Sequence, residues 1–333
     1  MSLVSKLTSK KQKDKEFKNI LASIEPLKED YYTLSGKLPF SKEYSTYVPY
    51  ALENQYDSSL VGVAFDYLAR FRIGQFTNKE EARDHLTAYE GLRKLSNKTK
   101  NYSLTNTFYI PLINDILDFI RSESKISPDI CQKALKLAKL EQLYRSPTIG
   151  ETNVDFYTCI DSSDEIVNDL MSLLEVFENK FINSGILTKN SKVVFNPSFG
   201  VSSPLVGGAD ADIWIDGTLY DFKTTKKNSL DKNDNLQLIG YFILNELAQE
   251  VHAATGAPPL LDINRVGFYK ARYGEIEFYD TEKLITKEMR DQTLVELAKY
   301  FSENPGKLNL VHDPFFVEDA KEVLKSIGEI HSI

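Results

Sequence analysis

Residues 207–223 read Gly-Gly-Ala-Asp-Ala-Asp-Ile-Trp-Ile-Asp-Gly-Thr-Leu-Tyr-Asp-Phe-Lys. Within this segment, Asp216-Gly217 separates two runs in which apolar and polar side chains alternate. An Asp-Gly pair in that position is the strongest short-range signal for a β-hairpin. The sequence therefore predicts two antiparallel strands, in which Ile213 pairs with Tyr220.

This register brings polar side chains together on one face of the hairpin. Asp212 lies opposite Asp221 and Asp210 opposite Lys223, and all four point the same way because side chains alternate along a strand. Facing Cβ atoms are roughly 5 Å apart, so two ionised carboxylates there repel each other. A hard cation such as Mg²⁺ or Mn²⁺ relieves the repulsion, since one or two carboxylates with water and phosphate are its usual ligands. Lys223 adds a mobile charge that can orient a metal-bound water or neutralise a phosphate.

The same residues resemble the signature of the PD-(D/E)XK nuclease superfamily, in which an Asp is followed across a hairpin by (Asp/Glu)-x-Lys. Here the matching residues are Asp212 and Asp221-Phe222-Lys223. Farther along, Gln237-Leu-Ile-Gly-Tyr241 resembles the Q-x-x-x-Y motif of the RecB/AddB/Cas4-like branch. A Gln and a Tyr four residues apart fall on one helical face. They could also be an ordinary helix surface pair.

The resemblance implies an α/β (α+β) fold, with a restriction-endonuclease-like mixed β-sheet core flanked by helices and a large helical N-terminal or inserted region. It implies that Asp212 and Asp221 bind the metal together with the backbone carbonyl of Phe222. It also implies that Lys223 positions the attacking water. Gln237 and Tyr241 would orient the scissile strand or Lys223.

The segment Gly62-Val-Ala-Phe-Asp66 resembles the first-helix motif of that branch, in which a Gly is followed four residues later by a His. Asp66 replaces the His and is predicted to complete a second metal position. An i,i+4 salt bridge with Arg70 is the alternative. An iron–sulfur cluster is not expected, because it needs four Cys ligands and the chain has 2 Cys residues.

The net charge is −8, which argues against a protein that coats nucleic acid nonspecifically. A local basic patch beside the hairpin is nevertheless predicted to contact nucleic acid through Lys226, Lys227, Lys232 and Arg272. The lysine-rich N-terminus is expected to be a mobile, solvated end. Of the N-terminal tyrosines, we expect most to pack against helices rather than stack on unpaired bases.

Three regions are predicted along the chain: a basic tail and irregular segment at 1–57, a helical region at 58–190 with the first core helix at 58–72, and the nuclease core at 191–333. Apolar periodicity predicts further helices and strands. The helices are expected at about 79–96, 107–122, 127–143, 163–183, 234–251, 281–303 and 315–328, and the strands at 193–195, 264–271 and 275–279.

Together these features predict a Mg²⁺- or Mn²⁺-dependent nuclease that acts on DNA, as single strands or duplex ends, with a helicase or defence-system protein as a candidate partner. The alternative is a catalytically silent nucleic-acid-binding or assembly subunit on the same scaffold. No apolar run reaches the length of a membrane span, there is no signal-peptide pattern, and the Cys content is low. We therefore expect a cytoplasmic protein without membrane contact.

Overall fold

A six-stranded mixed sheet organises the computed structural model, which describes residues 2–52, 54–146, 153–304, 306 and 314–329 (side chains of 314–316 excepted). The strand order is β1-β6-β5-β4-β3-β2, and only β4 and β5 run parallel. The strands are β1 (Tyr32–Thr33), β2 (Val193–Phe195), β3 (Ile213–Ile215), β4 (Thr218–Lys223), β5 (Arg265–Lys270) and β6 (Glu275–Asp280).

The predicted hairpin is confirmed as β3 and β4. Ile213 pairs with Tyr220, and Ile215 pairs with Thr218. Asp216 has φ 44° and the glycine after it has φ 89°. Two successive positive φ values are what the twist-matched two-residue hairpin turn requires, which explains the Asp-Gly pair.

Helices cover both faces of the sheet. They are α1 (Leu3–Thr8), α2 (Gln12–Ala22), α3 (Gln55–Thr77), α4 (Ala88–Thr99), α5 (Ile110–Arg121), α6 (Pro128–Arg145), α7 (Val154–Thr158), α8 (Asp164–Lys180), α9 (Ser202–Leu205), α10 (Lys232–Thr255), α11 (Thr281–Leu284), α12 (Lys287–Glu303) and α13 (Pro314–Glu329). A π-helical turn, Thr105–Tyr109, leads into α5. The mixed α/β class is thus confirmed. No helix in the described ranges has the length and apolar character needed to cross a membrane.

Two apolar cores lie on opposite faces of the sheet. The first packs α3, α4, α5, α6 and α8 against inward side chains that include Tyr220 and Phe222. The second packs α1, α2, α10 and α12 against the other face, which includes Trp214 and Leu219. Alternate residues of one hairpin therefore enter different cores, as the period of two requires.

The N-terminal segment differs from its prediction as a mobile basic tail. Leu3, Leu7 and Phe17 are buried in the second core, with Phe17 0% exposed. Lys6 is buried as well, 3.5 Å from the carboxylate of Asp14 and 3.0 Å from the hydroxyl of Tyr300. The apolar residues spaced between the lysines make α1 and α2 amphipathic, and burial of that face outweighs the freedom of a solvated tail.

Some helix boundaries also differ from those that the apolar periodicity of the sequence predicts. The predicted helix at 79–96 is interrupted, because His85 has φ 52°, a value that no helical residue adopts. The first core helix begins at Gln55, where the side chain of Asn54 accepts a hydrogen bond from the Asp57 N–H, rather than at a serine cap near residue 58. The predicted helix at 281–303 is two helices, since Ile285 is extended and Thr286 caps α12.

Candidate active site

Asp212 and Asp221 come together at the open end of the hairpin. The β3–β4 ladder ends at Ile213, one position short of Asp212. There, the Oδ2 atom of Asp212 accepts a hydrogen bond from the Phe222 N–H at 2.5 Å. The Asp212 carboxylate is thereby held against β4 beside Asp221, as the turn chemistry predicted.

Lys223 is the centre of a polar network that joins β4 to the first turns of α10. Its Nζ atom lies 2.7 Å from Oδ2 of Asp221 and 3.1 Å from Oδ1 of Asp234. It also donates to Oε1 of Gln237 at 3.3 Å, and Nε2 of Gln237 donates to the hydroxyl of Tyr241 at 2.5 Å. The structure therefore brings the predicted Lys, Gln and Tyr into one chain of contacts.

The position of α10 explains why these side chains meet. Asp231 caps the helix, and its side chain accepts hydrogen bonds from the backbone N–H groups of Asn233 and Asp234. Gln237 and Tyr241 lie three and seven residues after Asp234, one and two turns along the helix, on the face toward β4. Tyr241 is buried and stacks on Phe199, with ring centroids 5.3 Å apart.

Asp66 approaches the same centre from α3. Burial, followed by the charges of Asp212 and Asp221, raises the pKa of Asp66 well above its ordinary value. A cavity of about 60 Å³ lies beside Asp66 and Asp212. It is lined by Val63, Asp66, Tyr67, Arg70, Glu141, Arg145, Asn196, Asp210 and Asp212.

The charges at this site are unbalanced. Burial and the repulsion from Asp221 raise the pKa of Asp212 well above its ordinary value, and burial raises that of Asp221 although Lys223 opposes the change. For Lys223 itself, burial lowers the pKa, but Asp221 and Asp234 outweigh burial and raise it overall. Lys223 therefore stays protonated, and the carboxylates outnumber the cation that pairs with them.

The donor chemistry of Asp212 and Asp221 fits a hard divalent cation, because such ions prefer carboxylate oxygens and compensate buried negative charge. Within the described residues, no group of three or more His, Cys, Asp and Glu side chains has an arrangement that could hold a metal ion. Asp212 and Asp221 are therefore the two side chains that could bind the cation. Asp66 lies near them but does not complete a group of three ligands.

One sequence expectation at this end of the hairpin is wrong, and so is the alternative interpretation of Asp66 on α3. Asp210 does not face Lys223, because the ladder has ended and Asp210 forms an isolated antiparallel bridge with Ser198. Arg70 does not bridge to Asp66; its guanidinium donates to the backbone carbonyls of Glu81 and Asp84. Both contacts use Nη2 of Arg70 and join α3 to the segment at residues 81–84.

Of the four residues predicted to contact nucleic acid, three are exposed and one is not. Lys226, Lys227 and Lys232 lie on the surface. Arg272 is 1% exposed and forms a bidentate ion pair with Asp169 of α8, at 2.9 and 2.8 Å. It also donates to the carbonyl oxygen of Thr224 at 2.6 Å. The assignment of Arg272 to a nucleic-acid surface is therefore wrong, because all of these contacts are internal.

Three charged residues at the site were not found from the sequence. Asp234 pairs with Lys223. In the sequence, Asp234 stands three positions after the capping Asp231, and an acidic residue at that spacing is typical of the start of a helix. Glu141 and Arg145 reach the small cavity from α6, where Arg145 Nη2 lies 2.7 Å from Glu141 Oε1. Nothing local marks these two, since i,i+4 pairs are common on exposed helices.

Comparison of the chain with protein-family models, with curated proteins and with solved structures finds no match.

Proposed function

We propose that the protein is a divalent-metal-dependent nuclease of the PD-(D/E)XK kind, with a restriction-endonuclease-like core, that hydrolyses phosphodiester bonds in DNA. The observation that carries the proposal is the contact chain from Asp221 through Lys223 and Gln237 to Tyr241, with Asp212 held beside it by the Phe222 N–H. Titratable side chains with strongly shifted pKa values that meet in one network are typical of functional sites.

In this proposal Asp212 and Asp221 hold Mg²⁺ or Mn²⁺ with the backbone carbonyl of Phe222, and Asp66 adds negative charge on the opposite side. The ion would activate water and stabilise charge on the phosphate. Lys223 works as a cation in this proposal, because the neighbouring carboxylates of Asp221 and Asp234 raise its pKa. Gln237 positions Lys223 and is itself oriented by Tyr241.

The partners follow from the chemistry of the surface near the site. Lys226, Lys227 and Lys232 are exposed beside the site and are the candidates for phosphate contacts. The net charge of −8 favours local, salt-sensitive binding over coating of the polymer. DNA is the proposed substrate, and a helicase or defence-system protein remains the proposed kind of partner.

The direct test measures cleavage of labelled single- and double-stranded DNA with Mg²⁺ or Mn²⁺. Asp221→Ala and Lys223→Ala should each lower the rate by at least about 10²-fold, as expected when electrostatic support of the transition state is removed. Asp118→Ala and Lys10→Ala, both at exposed positions, are matched controls purified in the same way. Cleavage at the wild-type rate by both site variants would contradict the assignment.

The second candidate function is a catalytically silent DNA-binding or assembly subunit. The exposed Lys226, Lys227 and Lys232 would serve this function equally well, because phosphate contacts need no metal. Calorimetry with Mn²⁺ separates the two functions. A nuclease should show saturable binding that Asp212→Ala removes and Asp118→Ala preserves. A silent subunit should bind DNA with no such metal binding and no cleavage.

A further inference from the structure

A second, larger cavity adjoins the small cavity at the carboxylates. It has a volume of about 650 Å³ and shares Arg145, Asn196 and Asp210 with the small cavity. We call it the tyrosine groove. Asp66 and Asp212 line the small cavity. One end of a ligand bound in the groove would therefore lie next to the proposed metal site.

Three tyrosines line the tyrosine groove, from three different helical elements. Tyr89 belongs to α4, Tyr109 to the π-helical turn and Tyr144 to α6. Tyr89 and Tyr144 are 41% and 48% exposed, and the rings of Tyr89 and Tyr109 lie 5.3 Å apart. Exposed aromatic rings along a groove are the surfaces on which unpaired bases stack, and stacking tolerates any base because each has a π-face.

Two arginines also line the groove. Arg145 lies where the groove meets the small cavity, and Arg83 lies in the groove wall. The ion pair with Glu141 at 2.7 Å orients the Arg145 guanidinium. A guanidinium has five N–H donors, so this pair leaves donors for a phosphate. Three acidic residues also line the groove, Asp84, Glu90 and Asp210. Asp210 lies at the metal end, where a cation would offset its charge.

We propose that the tyrosine groove binds an unpaired nucleic-acid strand and leads it to the carboxylates. This inference rests on the proposed function for the identity of the ligand. A volume of 650 Å³ lies in the range of pockets that enclose a small ligand, about one or two nucleotides. Only an unpaired strand presents base faces to Tyr89 and Tyr144, because a duplex keeps its bases stacked inside.

The test is fluorescence anisotropy with a labelled oligodeoxythymidylate and a blunt duplex of equal length, in EDTA so that metal-dependent cleavage cannot occur. The wild-type protein should prefer the unpaired strand. Tyr89→Ala and Tyr144→Ala should each weaken binding by about fivefold or more, the loss expected for one stacked base. Tyr144→Phe should keep the affinity, because the ring is what stacks. Tyr102→Ala, at a 67% exposed tyrosine outside the groove, should change nothing.

The outcomes separate this inference from the nuclease proposal. Unchanged affinity in both Tyr→Ala variants, a preference for the duplex, or no binding by the wild-type protein would overturn the groove assignment even if DNA is cut. Tyrosine-dependent binding in a protein that never cuts DNA would instead refute the nuclease function and leave the groove as a strand-binding site.

Discussion

At the scale of single residues, Asp66, Asp212 and Asp221 combine burial with mutual repulsion, and this combination is costly for the fold. Burial is the largest cause of the raised pKa of each carboxyl group. A group whose pKa is higher in the folded state than in the unfolded state stabilises the fold below its unfolded pKa. That contribution is lost as pH rises through the folded pKa. The site therefore holds its charge at the expense of stability.

We predict that Asp212→Asn raises the free energy of unfolding in metal-free buffer at pH 8, and that the gain shrinks as pH falls toward the ordinary carboxyl pKa of 3.8. Asn resembles the protonated Asp212, so the two proteins differ in stability only above the ordinary pKa, where the carboxyl group of the unfolded wild-type chain ionises and favours unfolding. Each unit of raised pKa corresponds to about 1.4 kcal/mol. Urea denaturation across the pH range measures the difference. The control Asp118→Asn should follow the wild-type curve, and a pH-independent gain would refute the argument.

At the scale of elements, the pair of Arg272 and Asp169 ties the sheet to α8. Arg272 follows β5, and both side chains are almost fully buried, at 2% and 6% exposure. In the sequence, Arg272 lies two residues after Lys270 on a predicted strand, which favours a basic surface patch. The ion pair depends on a partner far away in sequence, and no local pattern predicts such a contact.

We predict that Asp169→Ala lowers the free energy of unfolding by about 3–5 kcal/mol, because the Arg272 charge is left buried without its partner. Urea denaturation measures this loss. Replacing both residues, as Asp169→Leu with Arg272→Met, should restore part of it. The exposed pair between Arg121 and Glu80 is the control, and Glu80→Ala should change stability little. A loss for Asp169→Ala no larger than for Glu80→Ala would contradict the prediction.

The contact between α4 and α6 depends on a glycine. A methyl group at Gly91 would lie 1.8 Å from the carbonyl oxygen of Leu140, so the two helices would have to separate. At Gly62 of α3, the nearest atom is the side-chain oxygen of Thr224 at 3.3 Å, which needs only a small adjustment.

We therefore predict that Gly91→Ala destabilises the protein by about 1–3 kcal/mol or more. Gly62→Ala should stay within about 1 kcal/mol of wild type, since the gain in helix propensity offsets the tight contact. Thermal denaturation of both variants checks the difference. Equal stability of the two would show that α4 and α6 do not pack as closely as described.

At the scale of the whole molecule, the second core joins the two ends of the chain. Helices α1 and α2 contact α10 and α12, and the Phe17 ring lies 5.6 and 6.0 Å from the rings of Tyr300 and Phe301. Edge strand β1 pairs with β6 and extends the sheet with residues from the N-terminal segment. Residues 2–52 and 54–57 are thus integrated into the fold that carries the site.

We predict that Phe17→Ala lowers the free energy of unfolding by about 3–5 kcal/mol, as for other fully buried aromatic residues. Val4→Ala, at a 47% exposed position in the same segment, is the control and should change stability by less than about 0.5 kcal/mol. Urea denaturation followed by circular dichroism measures both. Equal stability of Phe17→Ala and wild type would mean that the N-terminal helices do not contribute to the core.

Local patterns in the sequence were sufficient to predict the β3–β4 hairpin, its register, and the helical face shared by Gln237 and Tyr241. Turn chemistry and the periods of strand and helix act over a few residues, so they can be read without the fold. Contacts between segments distant in sequence decided the rest. They account for the burial of Arg272, the pairing of Asp234 with Lys223, and the position of α6 beside Asp66. Those contacts join segments far apart in the chain, and only the packing of two cores on one sheet brings them together.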